Sequence, residues 1–289
     1  MYKFFIVILV SYNVMCHAQV NNMANTNKNA IANKSANYLD LTLTMGIPMA
    51  EFGETTSSLP FGFSMKYNHQ PNVKLPFLYG LGFSYLWAGS KSVQETETIN
   101  IYAGGVIIDQ FQIPLEFAIR NQIVNGHLNF RIQGNNPIVK PYIDFLGGFN
   151  YFWTNTTLYD RSGQNFFDTD DRDRIFQKTQ LGRFTWSAGS CVGVSAHLNK
   201  ATFLNVSAGY LFGGRLNYYD KNQIEDWDIS INANNQNPSN GSYNSDNVTN
   251  TSALAKRSKT DMLLVQAGIA VWLDAVESKK PKPTNGTRR

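Results

Sequence analysis

The side chains able to do chemistry are sparse and regularly placed. Asp40, Lys66, Glu116, Arg120, Asp144 and Arg215 fall at alternate positions among Gly, Ser, Thr, Asn and Gln. Three are acidic and three basic, so the set can neutralise itself. Charges on an enclosed face are tolerated only when paired and hydrogen-bonded. Asp40 with Lys66, and Arg120 with Asp144, are placed to pair across neighbouring segments, with Glu116 one layer above Arg120. That pattern points to an interior ion-pair network, with a gated conduit as the alternative. Nucleophile chemistry is poorly supplied. His69, His127 and His197 all fall toward one end of their segments, and Cys191 has no histidine in its layer. "DTDDRDR" at 168–174 is dense in carboxylates, but no Gly or downstream Glu completes a calcium loop, and Arg172 and Arg174 offset the charge. No catalytic, metal or cofactor-binding residue is assigned.

The elements that must position these residues are strands. "GRFTWSAGSCVGVSAHL" (182–198) alternates Phe184, Trp186, Val192 and Val194 with Thr185, Ser187, Gly189 and Ser195, and a period of two over this length is a β-strand with two environments. The same alternation predicts strands over 39–48, 59–68, 76–87, 111–120, 142–153, 204–216 and 262–273. The outward positions of 111–120 are read as Phe111, Ile113, Leu115, Phe117 and Ile119. Pro114, which lacks an N–H, predicts a bulge or a late start there.

Which face meets water follows from charge. The chain is 289 residues, 43% hydrophobic, 13% aromatic and only 16% charged. Roughly one position in eight of the polar faces is charged, against a quarter to a third on a water-facing surface. The polar face is therefore a packed interior and the apolar face meets lipid. Two bands of aromatics agree. Tyr85, Trp87, Tyr151, Trp153, Phe184 and Trp186 form the outer girdle, and Tyr67, Phe77 and Tyr79 the inner one, at headgroup level. A secreted soluble sandwich is the competing reading.

The N-terminal "MYKFFIVILVSYNVMCHAQ" has Lys3, an apolar run from Phe4 to Val10 and small residues before Gln19, the pattern of a secretory signal peptide. The organisation expected is a signal peptide at 1–18, a flexible periplasmic lead-in at 19–37, a barrel at 38–274 and a basic periplasmic tail at 275–289. Much of the net charge of +4 lies in that tail, so no nucleic-acid-binding face is marked. Connections at 69–75 and 199–203 are short. Those at 49–58, 88–110, 154–182 and 217–261 are long and outward. The exception is 121–141, too long for a tight inner turn; with the strand-like 99–108 it keeps a ten-stranded arrangement open beside eight.

"FQIPLEFAIR" followed by "VKPYIDFLGGFNYFW" resembles the I-P-L … K-P-Y … G … G-Y pattern of PorT-like outer-membrane β-barrel proteins of gram-negative bacteria. The matching residues are Ile113, Pro114, Leu115, Lys140, Pro141, Tyr142, Gly147, Gly148 and Tyr151. The resemblance spans about residues 38–274 and implies an eight-stranded barrel; one branch of that family serves a secretion system. The last strand, "QAGIAVWL", also fits an assembly signal carried by Gln266, Gly268, Val271 and Leu273.

These readings converge on an all-β, transmembrane antiparallel up-and-down barrel in the bacterial cell outer membrane, inserted by barrel-assembly machinery and surrounded by outer-membrane lipid. The function expected is non-enzymatic: an anchor whose extracellular loops meet a protein partner. A narrow small-solute conduit and an accessory part of a secretion system are the alternatives.

Overall fold

The computed structural model describes residues 35–103, 106–162, 174–231, 248–251 and 254–274. The proposed signal peptide, most of the lead-in, the aspartate-rich segment up to residue 173 and the basic tail lie outside the described residues. Eight strands close into an antiparallel barrel. They are β1 (Ala36–Pro48), β2 (Phe61–Gln70), β3 (Phe77–Ala103), β4 (Val106–Gln133), β5 (Val139–Asp160), β6 (Arg174–Asn199), β7 (Thr202–Gly213) and β12 (Met262–Trp272). Each pairs with its neighbour in sequence, and β12 closes against β1, with Asp40 opposite Ala270. Between β7 and β12 lie β8 (Arg215–Tyr218), a 3-10 turn η1 (Lys221–Asp226), β9 (Asp228–Ile231), β10 (Val248–Thr251) and β11 (Lys256–Lys259). These pair among themselves, β8 with β11 and β9 with β10. A short helix α1 (Ala50–Thr55) follows β1. Ala36 and Trp272 share one end of the barrel, termed inner here; the opposite end is outer.

The outside of the barrel is apolar. Leu43 is 75% exposed, Leu128 67% and Trp186 61%, with Phe63, Leu81, Phe145, Val206 and Ile269 also exposed around the ring. The inside carries buried Asp40, Thr44, Lys66, Asn125, Asp144, Ser195, Ser207 and Gln266. Contiguous exposed apolar area on this scale is incompatible with a water-facing surface, and it matches a barrel in lipid. No helix among the described residues is long and apolar enough to cross a membrane.

The strands are of two lengths. β1, β2, β7 and β12 have 13, 10, 12 and 11 residues, close to the 9–11 or so that a tilted membrane strand needs. β3, β4, β5 and β6 have 27, 28, 22 and 26. Half of the barrel wall thus continues outward as a four-stranded sheet.

This corrects the reading of 111–120 and of 121–141. The lipid-crossing part of β4 is 121–133, and the inner connection is only 134–138. Residues 111–120 belong to the outward sheet. Phe77 pairs with Ile132 and Trp87 with Gln122, so the crossing hairpin uses the segment whose length suggests an inner loop. The strand-like 99–108 is the far end of the same hairpin, and the barrel has eight strands. The parity of β4 is also opposite to expectation. Ile113, Leu115, Phe117 and Ile119 are all under 5% exposed and point inward, over a protein core. The outward connections are shorter than expected too, since 154–160 and 174–182 continue β5 and β6.

Pro114 produces neither a bulge nor a late start. It lies one residue past the last β4–β5 pair, Leu115 with Asp160, and its carbonyl accepts from the Arg161 N–H on that side. A missing donor is harmless at the end of a ladder. The register shifts in this hairpin fall instead between Trp87 and Ser90 and between Ile101 and Tyr102. Gly89, within the first, has φ of 94°, a left-handed conformation that a side chain strongly disfavours. The bulge turns Lys91, Val93 and Glu95 to the inner face, where β3 residues of odd number had faced lipid below it.

Candidate functional site

The lumen is filled at three levels. At the inner end Ala36, Tyr38, Leu78, Phe203 and Ala270 form a buried apolar layer, joined by Val73 and Trp272. At the outer mouth Phe52, Leu86, Ile123, Phe152, Leu211, Tyr218, Met262 and Leu264 form another. Phe52 comes from α1 and Tyr218 from β8, so both are brought in by the outer connections. Each ring packs edge-on, Phe52 against Phe152 at 5.8 Å and against Tyr218 at 5.4 Å. Backbone and side chain of α1 are latched from outside: Tyr218 bonds the Thr55 hydroxyl, Arg215 pairs with Glu51 at 3.1 Å, and the Lys256 ammonium donates to the Thr55 carbonyl at 3.1 Å.

Between the layers sits a neutral cluster of two cations and two carboxylates. Arg131 on β4 donates to both Asp144 oxygens, Nε to Oδ1 at 2.6 Å and Nη2 to Oδ2 at 2.9 Å, and reaches Asp40 at 3.1 Å. Lys66 donates to Asp144 at 3.3 Å and to the Gln266 Oε1 at 2.9 Å. Asn68 donates to Asp40 at 3.2 Å. The Tyr142 ring covers the guanidinium at 3.9 Å. Gly193 makes the room for it, since a Cβ there would lie 2.5 Å from the ring. A bidentate arginine at this centre satisfies more lone pairs than lysine could.

Of the charges placed in this network by sequence, the structure brings together Asp40, Lys66 and Asp144. Asp40 and Lys66 stand directly opposite across β1 and β2, yet each uses a different partner for its shortest charged contact. Glu116, Arg120 and Arg215 are elsewhere. Glu116 and Arg120 lie on the outer side of the outward sheet because the parity of β4 is reversed. There Glu116 pairs with Arg161 at 2.8 Å, and Arg120 bonds the Tyr159 hydroxyl at 3.3 Å. Arg215 follows the end of β7 at Gly213 and belongs to β8 at the mouth. Arg131 is the member that sequence reasoning missed. Its signal was present: Asn121, Asn125, His127, Asn129 and Arg131 alternate with Gln122, Val124, Leu128, Phe130 and Ile132, but a segment placed between two expected strands reads as a connection.

The remaining sites are placed as follows. Tyr85, Tyr151 and Phe184 occupy one rung, and Trp87 and Trp153 the next one outward. Tyr151 and Phe184 lie 4.3 Å apart and Tyr85 and Trp153 6.0 Å; Trp186 is on the rung below, opposite Phe149. Gln266 is the hub of the lumen cluster: besides Lys66 it accepts from Ser207 at 3.4 Å and donates to Thr44 and Ser64, each at 3.2 Å. Gly268 lies opposite Thr42 and Asn205, and Val271 opposite Leu39. Leu273 falls after the strand, which ends at Trp272. His69 and His197 are at the inner end, on Tyr79 and Phe203 respectively. His127 is not: it is buried mid-lumen and its Nε2 meets the Ser187 hydroxyl at 2.8 Å. A serine–histidine contact can activate a nucleophile, but this one lies within a lumen filled at both ends.

Beyond the membrane, the inner face of the outward sheet has its own core. Ile113, Leu115, Phe117, Ile119, Leu158 and Ile175 pack against Tyr219, Ile224 and Trp227 from the connection after β8. Lys91 on β3 clamps that connection through Glu225 at 2.7 Å. The hydrogen bond from Arg161 to Glu116 and that from Lys91 to Glu225 each hold the carboxylate below the usual glutamate range. A shallow cleft of about 10 Å³, room for about one water, remains beside this core, lined by Val93, Leu115, Phe117, Leu158, Ile224 and Trp227 with Glu95 and Glu97. Among the described residues there is no cluster of metal-ligating side chains.

A closed antiparallel barrel of even strand number, formed by one chain and apolar outside, is the architecture that crosses bacterial outer membranes. The chain is an eight-stranded outer-membrane β-barrel. No family model matches it, and no curated protein does. Solved structures align with 82% of this chain. Neisserial surface protein A is covered over 96% of its length, at 8% identity and a TM-score of 0.34. A major outer membrane protein from Thermus thermophilus is covered over 100%, at 12% and 0.43. Ail, the attachment invasion locus protein of Yersinia pestis, in complex with the heparin analogue sucrose octasulfate, is covered over 98%, at 12% and 0.31. At these identities the likeness concerns the fold alone.

Proposed function

We propose that the protein is a non-enzymatic, closed anchor that holds a rigid sheet above a gram-negative outer membrane for a protein partner. One observation carries this reading: the lumen is filled by an apolar layer at each end with a paired ionic cluster between them. An interior of eight strands is narrow enough for side chains to fill. The outward half of β3–β6 is packed and paired, which is more than a membrane anchor alone requires. The chain reaches the membrane through the signal peptide at 1–18 and assembly machinery that reads the last strand. The PorT-like residues around Pro114 and Pro141 support an accessory role beside other envelope proteins, in secretion or at the surface. Purified protein in planar bilayers should show no steady conductance. Stable unitary currents from the native chain would favour the small-solute conduit instead.

A further inference from the structure

We infer that the upper edge of β3 is a docking strand for an extended basic segment of a partner protein. The inference rests on the closed-anchor reading and names the partner's chemistry. The β2–β3 ladder ends at Phe61 with Trp87. Above it, β3 continues to Ala103 with β4 as its ladder partner on one side. From Ser90 to Thr98 the other side carries no backbone bond among the described residues, over about 30 Å of strand. An unpaired, ordered edge of this length is a template for strand addition. An added strand would stack above the end of β2, beyond Ser58 and Lys221, which flank Gly89.

Charge selects the occupant. Glu95 and Glu97 point to the inner face, two residues apart, and neither has a cation or hydrogen-bond partner among the described residues. Their neighbour Val93 opens into the apolar cleft, whose wall includes Trp227. That ring is 7% exposed, and its N–H has no acceptor among the described residues. A complementary strand therefore carries two basic side chains opposite Glu95 and Glu97 and an apolar one opposite Val93, at alternate positions. A second copy of this chain does not fit through the same edge, because β3 against β3 would bring glutamates together. The opposite margin of the outward sheet is basic, with Arg174, Lys178 and Arg183, so the acidic edge is specific to β3.

The test uses the full chain in phosphatidylcholine nanodiscs and a labelled Thr-rich peptide with Lys, Lys and Leu at alternate positions, followed by fluorescence anisotropy. Saturable binding is expected. Glu95→Gln with Glu97→Gln should weaken it about tenfold, the sum of two cross-strand charge pairs. Glu95→Lys with Glu97→Lys should transfer the preference to the Glu-substituted peptide. Methylating alternate peptide nitrogens should abolish binding, since strand addition needs those N–H groups. Heat-modifiable gel mobility shows that the variants are folded. Absence of saturable binding, equal binding of Lys and Glu peptides, or undiminished binding by the variants or by the N-methyl peptide would each overturn the docking strand. Bilayer conductance, by contrast, would count against the closed barrel and leave the peptide result standing.

Discussion

At the residue scale, Arg131 is the group on which the lumen depends. It is the shared partner of Asp40 and Asp144, and both carboxylates are within 2% of full burial. Arg131→Met leaves two buried anions with Lys66 alone, and breaking a buried pair costs about 3–5 kcal/mol. The urea midpoint of refolded protein should fall accordingly, and adding Asp144→Asn should restore much of it, because removing both charges can be nearly neutral. Arg120→Met, on the outer side of the sheet, should change little. Equal losses from the two arginine variants would mean that the lumen cluster does not act as a unit. Glu116 supplies the acid-sensitive contact outside the membrane. Its carboxyl is held below its ordinary 4.5 by Arg161, so the stabilisation is full above that value and is lost as pH falls through the depressed one. The stability difference between the native chain and Glu116→Gln should therefore be present at neutral pH and shrink in acid. A difference that stays constant would show that the Arg161 contact contributes nothing.

At the scale of elements, parity decides what a strand tolerates. Val206 is 44% exposed and Ser207 5% on β7. Val206→Arg sets a charge against hydrocarbon near the midplane, at about 2–4 kcal/mol. Ser207→Arg is governed by fit and by the Gln266 contact. Assembly yield in native membranes distinguishes them: normal assembly of Val206→Arg with failure of Ser207→Arg would reverse the faces. The described ends of the connection after β7 are also paired with each other. Lys256 and Arg257 pair with Tyr218 and Asn217, and Lys256 further bonds Thr55 and pairs with Asp220 at 3.6 Å. Trypsin cleavage near 256–257, natural for a loose loop, should therefore be slow on intact cells. Glu51→Ala with Thr55→Ala, which loosens the α1 latch, should speed it. Rapid cutting of the native chain at Lys256 would show that β8 and β11 separate readily.

For the whole molecule, closure is distributed between two apolar layers. Phe52→Ala removes one ring from the outer layer and leaves the Tyr38 and Phe203 layer in place. The variant should lose stability by about 3–5 kcal/mol, typical of a buried phenylalanine, and should remain silent in planar bilayers. Currents in Phe52→Ala alone would place the whole barrier at the outer mouth and revive a gated path. The wall itself is asymmetric: its short strands end at the membrane while β3–β6 rise beyond it, so any partner is met by one half of the ring.

The sequence by itself determined the period of seven of the eight crossing strands, all but β4, together with the apolar outside and the polar inside. Those follow from alternation and from the scarcity of charge, which are local properties. It carried Asp40, Lys66 and Asp144 into the lumen for the same reason. Two things needed the tertiary structure. Alternation from Ile113 to Ile119 states that one face is buried, but not whether lipid or protein covers it; only Tyr219, Ile224 and Trp227, far along the chain, settle that it is protein. Likewise, strand-to-strand register gives Asp40 opposite Lys66, yet the choice of Arg131 as the centre depends on how far each side chain reaches across a closed barrel. Those distances are set by closure between β12 and β1, a pairing of the two ends of the wall that no local pattern encodes.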